Sequence, residues 1–422
     1  MRKATRWRLV LAAALAAGGW AAGAQVLPPV PDVGGTLGTI GRTADDALRD
    51  TNDGLDRARS EVAALARARV NRLEALVRAN RTRLEMTDAG PAVRGEVIAL
   101  DPDPAALAAV ERAGFSRLAE DRIEGLDLRT VTLAVPRGWS VDRALSRLRR
   151  IAPSASFAAN HLHGQSGAAA AIGAAALAQG RVAGGPGAIG MIDGGVAGTP
   201  SLRSPVQQRG FAAGAPHPSA HGTAIASLIA GQGPVRGAAP GVPLLVADVY
   251  GRDAAGGNAL ALARALGWMV AQRVPVVALS LVGPANPLVE RAVGQARARG
   301  TFLVAAVGND GRAAPPAYPA SYPGVIAVTG VDARGRVLIE AGRARHLDYA
   351  APGADMAAAA PNGALVAVRG TSYAVPFVAG RLAHHARAAN PIAALDREAV
   401  GGGRRGVGRG VVCGTCRTVR RR

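Results

Sequence analysis

The chain has 422 residues, 49% hydrophobic but only 3% aromatic, so its core must be built mainly from Ala, Val and Leu. The formal charge is +20, yet the basic residues are spread along the chain and are arginines apart from Lys3, which argues against a dedicated nucleic-acid-binding protein. Only Arg417 to Arg422 forms a basic cluster.

Residues 1–24 have a basic start (Arg2, Lys3, Arg6, Arg8), an apolar run from Leu9 to Ala17, and Ala22-Gly23-Ala24 before Gln25, the layout of a secretory signal peptide. Gly18 and Gly19 stop the run short of the roughly 20 apolar residues that span a bilayer. The reading is export, secreted or periplasmic, with no membrane attachment after signal removal. A Pro/Gly-rich linker (25–42) leads into a charged segment (43–87). Its apolar positions Val62, Leu65, Val70, Leu73, Leu76, Val77 and Leu84 predict an amphipathic helix.

Residues 93–162 alternate short strands and helices: Glu96 to Leu100, Pro104 to Ala113, Arg122 to Leu128, Thr130 to Val135, Ser140 to Ile151, then a last strand. That order predicts a small α+β, ferredoxin-like module. A Gly/Ala stretch (163–187) reads as a linker. From 188 to 412, apolar runs at Ile189 to Ile192, Leu244 to Val249, Val274 to Leu281, Phe302 to Val307 and Val325 to Val328 are bounded by Gly and Pro. They predict an α/β fold, a parallel sheet with helices on both faces.

In such a sheet functional groups gather at the carboxyl ends of strands. Asp193 ends one predicted strand, followed by two glycines; alone it reads more readily as a turn residue or helix cap. His221 opens an apolar helix, Asn309 lies between Gly308 and Gly311 after another strand, and Ser372 precedes a helix with Pro376 in its first turn. A serine hydroxyl needs a base, the base needs an orienting carboxylate, and a developing oxyanion needs donors. These four residues can fill those roles. The remaining histidines (His161, His163, His217, His346, His384, His385) are poorer bases by position.

The order Asp193, His221, Ser372, with Ser280-Leu281-Val282-Gly283 and the Asn309 loop, resembles the subtilisin-like serine peptidase (subtilase) family across about residues 187–412. The resemblance implies a serine endopeptidase in which Ser372 is the nucleophile, His221 the base, Asp193 its orienter and Asn309 an oxyanion donor. Ser280, Leu281, Val282 and Gly283 would line a cleft for an extended polypeptide substrate. It also implies that the 93–162 module is propeptide-like, an inhibitor held in cis. The sequence departs from the family pattern at Gly194, Ala224, Phe377 and Val282, the last replacing a usual glycine in the cleft strand. No cofactor is expected, and residues 231–240 offer no Asp, Asn or Glu for calcium.

Cys413 and Cys416, in the basic tail (413–422), predict a local disulfide in an exported protein. Two readings from other classes remain: a catalytically silent peptide-binding relative, and an Arg-rich polyanion binder.

Overall fold

A computed structural model describes residues 60, 63–166 and 187–418. The expected signal peptide, the 25–42 linker, the first part of the helical segment, most of the Gly/Ala stretch and the last four arginines lie outside the described residues.

The first described helix, α1 (63–79), ends earlier than the expected boundary at 87. Asn80 caps it by donating from Nδ2 to the Leu76 carbonyl (2.9 Å). Leu84–Thr87 is instead strand β1, paired antiparallel with β2 (Gly90–Leu100). The Thr87 hydroxyl closes the turn by donating to the Gly90 carbonyl (2.8 Å), so local turn chemistry overrides the helical spacing of Leu84.

The module continues with α2 (Pro104–Arg112), β3 (Arg117–Arg122), β4 (Arg129–Ala134), α3 (Val141–Ile151) and β5 (Ser156–His161). Asp103 and Ser140 accept from the first-turn amides of α2 and α3. The order strand, helix, strand, strand, helix, strand is as expected, but the third element is displaced: Arg117–Arg122 is the strand and 123–128 is a turn. The apolar residues Ile123, Leu126 and Leu128 mimic a strand pattern because they leave the module and enter the core of the main domain.

The strands have side-chain period two, and each face has its own partner. Val97, Ala99, Phe157 and Ala159 pack under α2 and α3, whereas Ile98, Leu100 and Ala158 face the main domain.

The main domain is built on a seven-stranded parallel sheet in the order β14-β13-β12-β10-β7-β9-β8. Its strands are β7 (Ile189–Asp193), β8 (Val206–Gly210), β9 (Leu244–Asp248), β10 (Val276–Leu279), β12 (Phe302–Ala306), β13 (Ile326–Val331) and β14 (Tyr349–Pro352). Both faces are buried, which is why five strands read as continuous apolar runs. The edge strands β8 and β14 lack that signature; β8 carries Gln207, Gln208 and Arg209. The hairpin β15 (Met356–Ala359) with β16 (Leu365–Val368) was also not marked by alternation.

Helices α5 (Ala259–Ala271) and α6 (Pro287–Ala298) cover one face, where Ile192, Val277 and Leu279 point. Helices α4 (Ala220–Ala230), α7 (Val375–His384) and α8 (Pro391–Glu398) cover the other, where Ile189, Met191, Val276 and Ala278 point. Among the described residues no helix is long and apolar enough to cross a membrane.

The module's free sheet face rests on α5 and α6. Close approach is made possible by glycine: a Cβ on Gly267, within α5, would stand 2.2 Å from the Glu124 carbonyl oxygen, and one on Gly125 2.3 Å from the Gly267 oxygen. Asn286 Nδ2 donates to the Ala159 carbonyl (2.8 Å) and Asn160 Oδ1 accepts from the Leu260 amide (3.0 Å). At the rim Arg264 pairs with Asp121 (2.5 Å) and Arg209 with Glu124 (2.6 Å), half-exposed pairs that fix register more than they add stability. Helix α1 reaches the same domain elsewhere. Arg69 and Arg72 pair with Asp310 at 3.1 and 2.6 Å, and Leu65 packs beside Gly311.

Two histidines are buried at this junction. His161 bonds Thr87 Oγ1 (3.1 Å) and Asn286 Nδ2 (3.2 Å), and the Asp142 carboxylate only partly offsets the effect of its burial. His163 has no partner for either ring nitrogen and faces Tyr250, Gly257 and Gly283. Burial lowers the pKa of both rings from 6.5 to about 4.

Two outcomes are expected. An alanine at Gly267 would favour an isolated helix by about 1 kcal/mol, but against the Glu124 carbonyl it should instead destabilise the docked module by about 1–3 kcal/mol. A drop in thermal midpoint for Gly267→Ala checks this, and a rise would contradict it. The second outcome concerns pH. A ring kept neutral when docked costs nothing above pH 6.5, whereas below it the undocked ring gains a proton that the docked one refuses. Docking should therefore weaken as pH falls from 6.5 and level off near 4, by about 2 kcal/mol per histidine at pH 5. Urea midpoints of the full chain at pH 7 and pH 5 measure the difference, and His163→Phe should reduce it.

Candidate active site

From β7 the chain runs to the edge strand β8 and returns to β9 between them, then crosses to β10 on the other side of β7 and winds outward through β12, β13 and β14, so the sheet has its switch point between β7 and β10. Crevices open at the carboxyl ends of strands at such a point. Asp193 is the last residue of β7, Ser280 follows β10, and Asn309 follows β12.

Asp193 is fully buried, and a buried carboxylate needs donors. It has three. His221 Nδ1 lies 2.9 Å from each oxygen, the Gly194 amide donates at 2.7 Å, and Gln165 Nε2 donates at 3.0 Å. His221 is presented by the first turn of α4, whose N-cap Ser219 accepts from the Gly222 amide (2.9 Å). The departure at Gly194 follows from this cap, because a Cβ at Gly194 would stand 2.4 Å from Ser219 Oγ. Ala224 and Phe377 are both fully buried apolar contacts in the core on the α4/α7 face.

With Nδ1 committed to Asp193, His221 presents Nε2, which is buried and without a hydrogen-bond partner. Ser372 Oγ is likewise buried and unpartnered. The two are not hydrogen-bonded to each other in this state, but the 3-10 turn Thr371–Tyr373 that carries Ser372 packs against α4, and the Tyr373 ring lies 5.3 Å from the imidazole. The turn runs directly into α7, with Pro376 in the first turn as expected.

Asn309 is oriented by its own oxygen: Oδ1 accepts from the Thr371 amide (2.8 Å), which commits Nδ2 to the opposite direction. The Thr371 hydroxyl holds the same loop by donating to the Gly308 carbonyl (3.1 Å). Gly370 has φ of 141°, a conformation L side chains rarely adopt, and a Cβ there would stand 2.9 Å from Asn309 Nδ2. The amide therefore points into the crevice unobstructed.

The crevice is occupied by the chain itself. The expected linker at 163–187 begins later than its composition suggests, since residues 163–166 are laid along the cleft. β6 (Gly164–Gln165) pairs antiparallel with β11 (Leu281–Val282). The Ser166 amide donates to the Ser280 carbonyl (3.2 Å), and the Ser166 carbonyl accepts from Asn309 Nδ2. His163 stacks over Gly283, where a Cβ would stand 2.4 Å from its ring, and its carbonyl accepts from the Tyr250 hydroxyl (2.9 Å).

Of the four expected cleft residues, Leu281 and Val282 form the pairing strand, Gly283 floors the His163 ring, and Ser280 also donates from Oγ to the Ser372 carbonyl (3.0 Å). Sequence reasoning missed Gln165, Ser166, Thr371 and Tyr250. The polar run His161 to Ser166 just before the Gly/Ala stretch was the available signal for the first two.

Cys413 and Cys416 form a disulfide with Cα atoms 5.2 Å apart, away from the crevice in sequence and packed on the core over α7. Among the described residues no group of three or more His, Cys, Asp or Glu side chains is placed to hold a metal ion. The site thus combines a buried acid–imidazole pair, a free hydroxyl and an amide donor, the parts required for acyl transfer.

Comparison with known proteins places the chain among relatives of one family. The subtilase family model matches residues 205–400. The chain is 36% identical over 172 residues to the major intracellular serine protease of Bacillus subtilis, covering 39% of this chain and 54% of that protein. It is 31% identical over 205 residues to subtilisin DY of Bacillus licheniformis, covering 46% and 74%. Fervidolysin from Fervidobacterium pennivorans, a keratinolytic enzyme related to subtilisin, shares the fold with a TM-score of 0.60 at 18% identity, over 79% of this chain and 62% of that one. The chain spans little more than half the length of several curated relatives it matches. On the match to subtilisin DY and the family model together, the chain belongs to the subtilase family.

Proposed function

We propose that the chain is an exported serine endopeptidase made as a zymogen, with Asp193, His221 and Ser372 as its triad and Asn309 as a side-chain oxyanion donor. The observation that supports this best is the seating of Ser166. An extended segment lies antiparallel on β11, and its carbonyl receives the Asn309 amide beside an unpartnered serine hydroxyl. A peptide substrate would be held in the same way.

In this reading His221 Nε2 takes the Ser372 proton as Oγ attacks the carbonyl carbon. Asp193 holds the tautomer with Nδ1–H and stabilises the imidazolium. Asn309 Nδ2 donates a hydrogen bond to the carbonyl oxygen as negative charge develops on it. His221 then protonates the departing amine, leaving an acyl-enzyme that water hydrolyses. The antiparallel-sheet module preceding the cleft segment acts as an inhibitor in cis, and the peptide bond that follows Ser166 is its maturation site. A signal peptide at 1–24 and the domain plan read from the sequence, with the helical segment and the linker bounded as corrected above, complete this account.

Purified wild type should react with a fluorophosphonate and show a new N-terminus at Gly167 by mass spectrometry. Ser372→Ala should neither label nor process. Absence of labelling in processed wild type would favour the silent peptide-binding relative. Asn309→Ala should lower kcat by about 10²–10³ with a smaller change in KM. An effect confined to KM would remove Asn309 from the oxyanion role.

A further inference from the structure

We propose that Val282 restricts the residue supplying the acyl carbonyl to small side chains, Gly, Ala or Ser. The inference rests on the peptidase reading above and adds a substrate class to it. In the β6–β11 ladder Gly164 stands opposite Val282, and Ser166 pairs through its amide with the Ser280 carbonyl. Residues two apart on a strand share a face, so the side chain at 166 lies on the face that Val282 presents.

The opposite wall on that side is the backbone leading to Asn309. Val282 Cγ1 and Cγ2 stand 3.5 and 3.9 Å from the point where a Cβ on Gly308 would be, and Ala317 Cβ stands 3.7 Å from it. Gly308 carries no such atom, so these distances measure a gap about one methyl group wide between the valine and the loop, too narrow for a large side chain.

The resident residue fits this restriction. Ser166 is 3% exposed, and its hydroxyl turns back to the Ser280 carbonyl (3.3 Å) instead of extending away from the strand. The open cavity of about 690 Å³ that Ser166 and Val282 also border has a mixed lining, with Met356, Ala367 and Val368 beside Asp310, Glu340 and Arg369. The restriction therefore rests on Val282, which narrows the space between the pairing strand and the loop before Asn309.

The test uses full-length chain and the variants Val282→Gly and Val282→Ala, each active-site-titrated with a fluorophosphonate. The substrates are His-Gly-Gln-X p-nitroanilides with X as Ser, Ala, Leu, Phe or Arg. For wild type, kcat/KM for Ser and Ala should exceed that for Leu and Phe by about 100-fold. Val282→Gly should reduce the gap to about 10-fold or less, with Val282→Ala between the two.

Wild type that cleaves Leu, Phe or Arg within about 3-fold of Ser would overturn the proposal, and so would a ratio unchanged in both variants. Labelled enzyme with flat preference refutes this inference alone. A wild type that neither labels nor cleaves any member refutes the peptidase reading and this inference with it. If a variant fails to label through misfolding, the wild-type ranking still decides.

Discussion

A carboxylate with no exposure to water sits at the end of β7, and much of the surrounding architecture meets its requirements. Burying that charge unpaired would cost several kcal/mol, so both of its oxygens must find donors. The glycine after it frees an amide, α4 is capped so that its first turn delivers an imidazole, and the cleft segment contributes a side-chain amide. Even the loss of a side chain at Gly194 follows from the space the Ser219 cap occupies. The parallel sheet is what allows this, because it brings strands distant in sequence to one edge with their carboxyl ends side by side.

The two faces of the molecule do different work. The face under α4 and α7 is a dry core that holds the serine turn and the histidine helix in register. The face under α5 and α6 is shared with the N-terminal module, whose Ile98, Leu100, Ile123, Leu126 and Leu128 belong to the same apolar cluster as the sheet. The module is therefore fixed by ordinary core packing, and the strand it sends into the cleft inherits that stability.

The central strands and the four chemical groups were legible because buried parallel strands are uniformly apolar and because Asp193, His221, Asn309 and Ser372 each sit where a Gly-bounded strand or helix changes direction. What could not be read had a physical reason in each case. Leu84 fits a helical spacing yet belongs to β1, since Asn80 and the Thr87 turn end the helix. Ile123 to Leu128 alternate like a strand because they plug a second core. Gln165 and Ser166 have linker-like neighbours and acquire meaning only from a partner, β11, that lies more than a hundred residues away.

The fragment that would be released by cutting after Ser166 is gripped at two separate points on one loop. Ser166 bonds Asn309, while Arg69 and Arg72 of α1 pair with the adjacent Asp310. Together with the packed sheet face, these make such a fragment a multivalent ligand. When one grip opens, the others keep it at high effective concentration, so the rate of escape is set by all of them opening together. Raised ionic strength screens the arginine grip and the rim pairs Arg264–Asp121 and Arg209–Glu124, but not the hydrogen bond at Ser166 or the packed apolar face. Salt therefore acts on the persistence of the bound fragment without touching the chemistry of the serine.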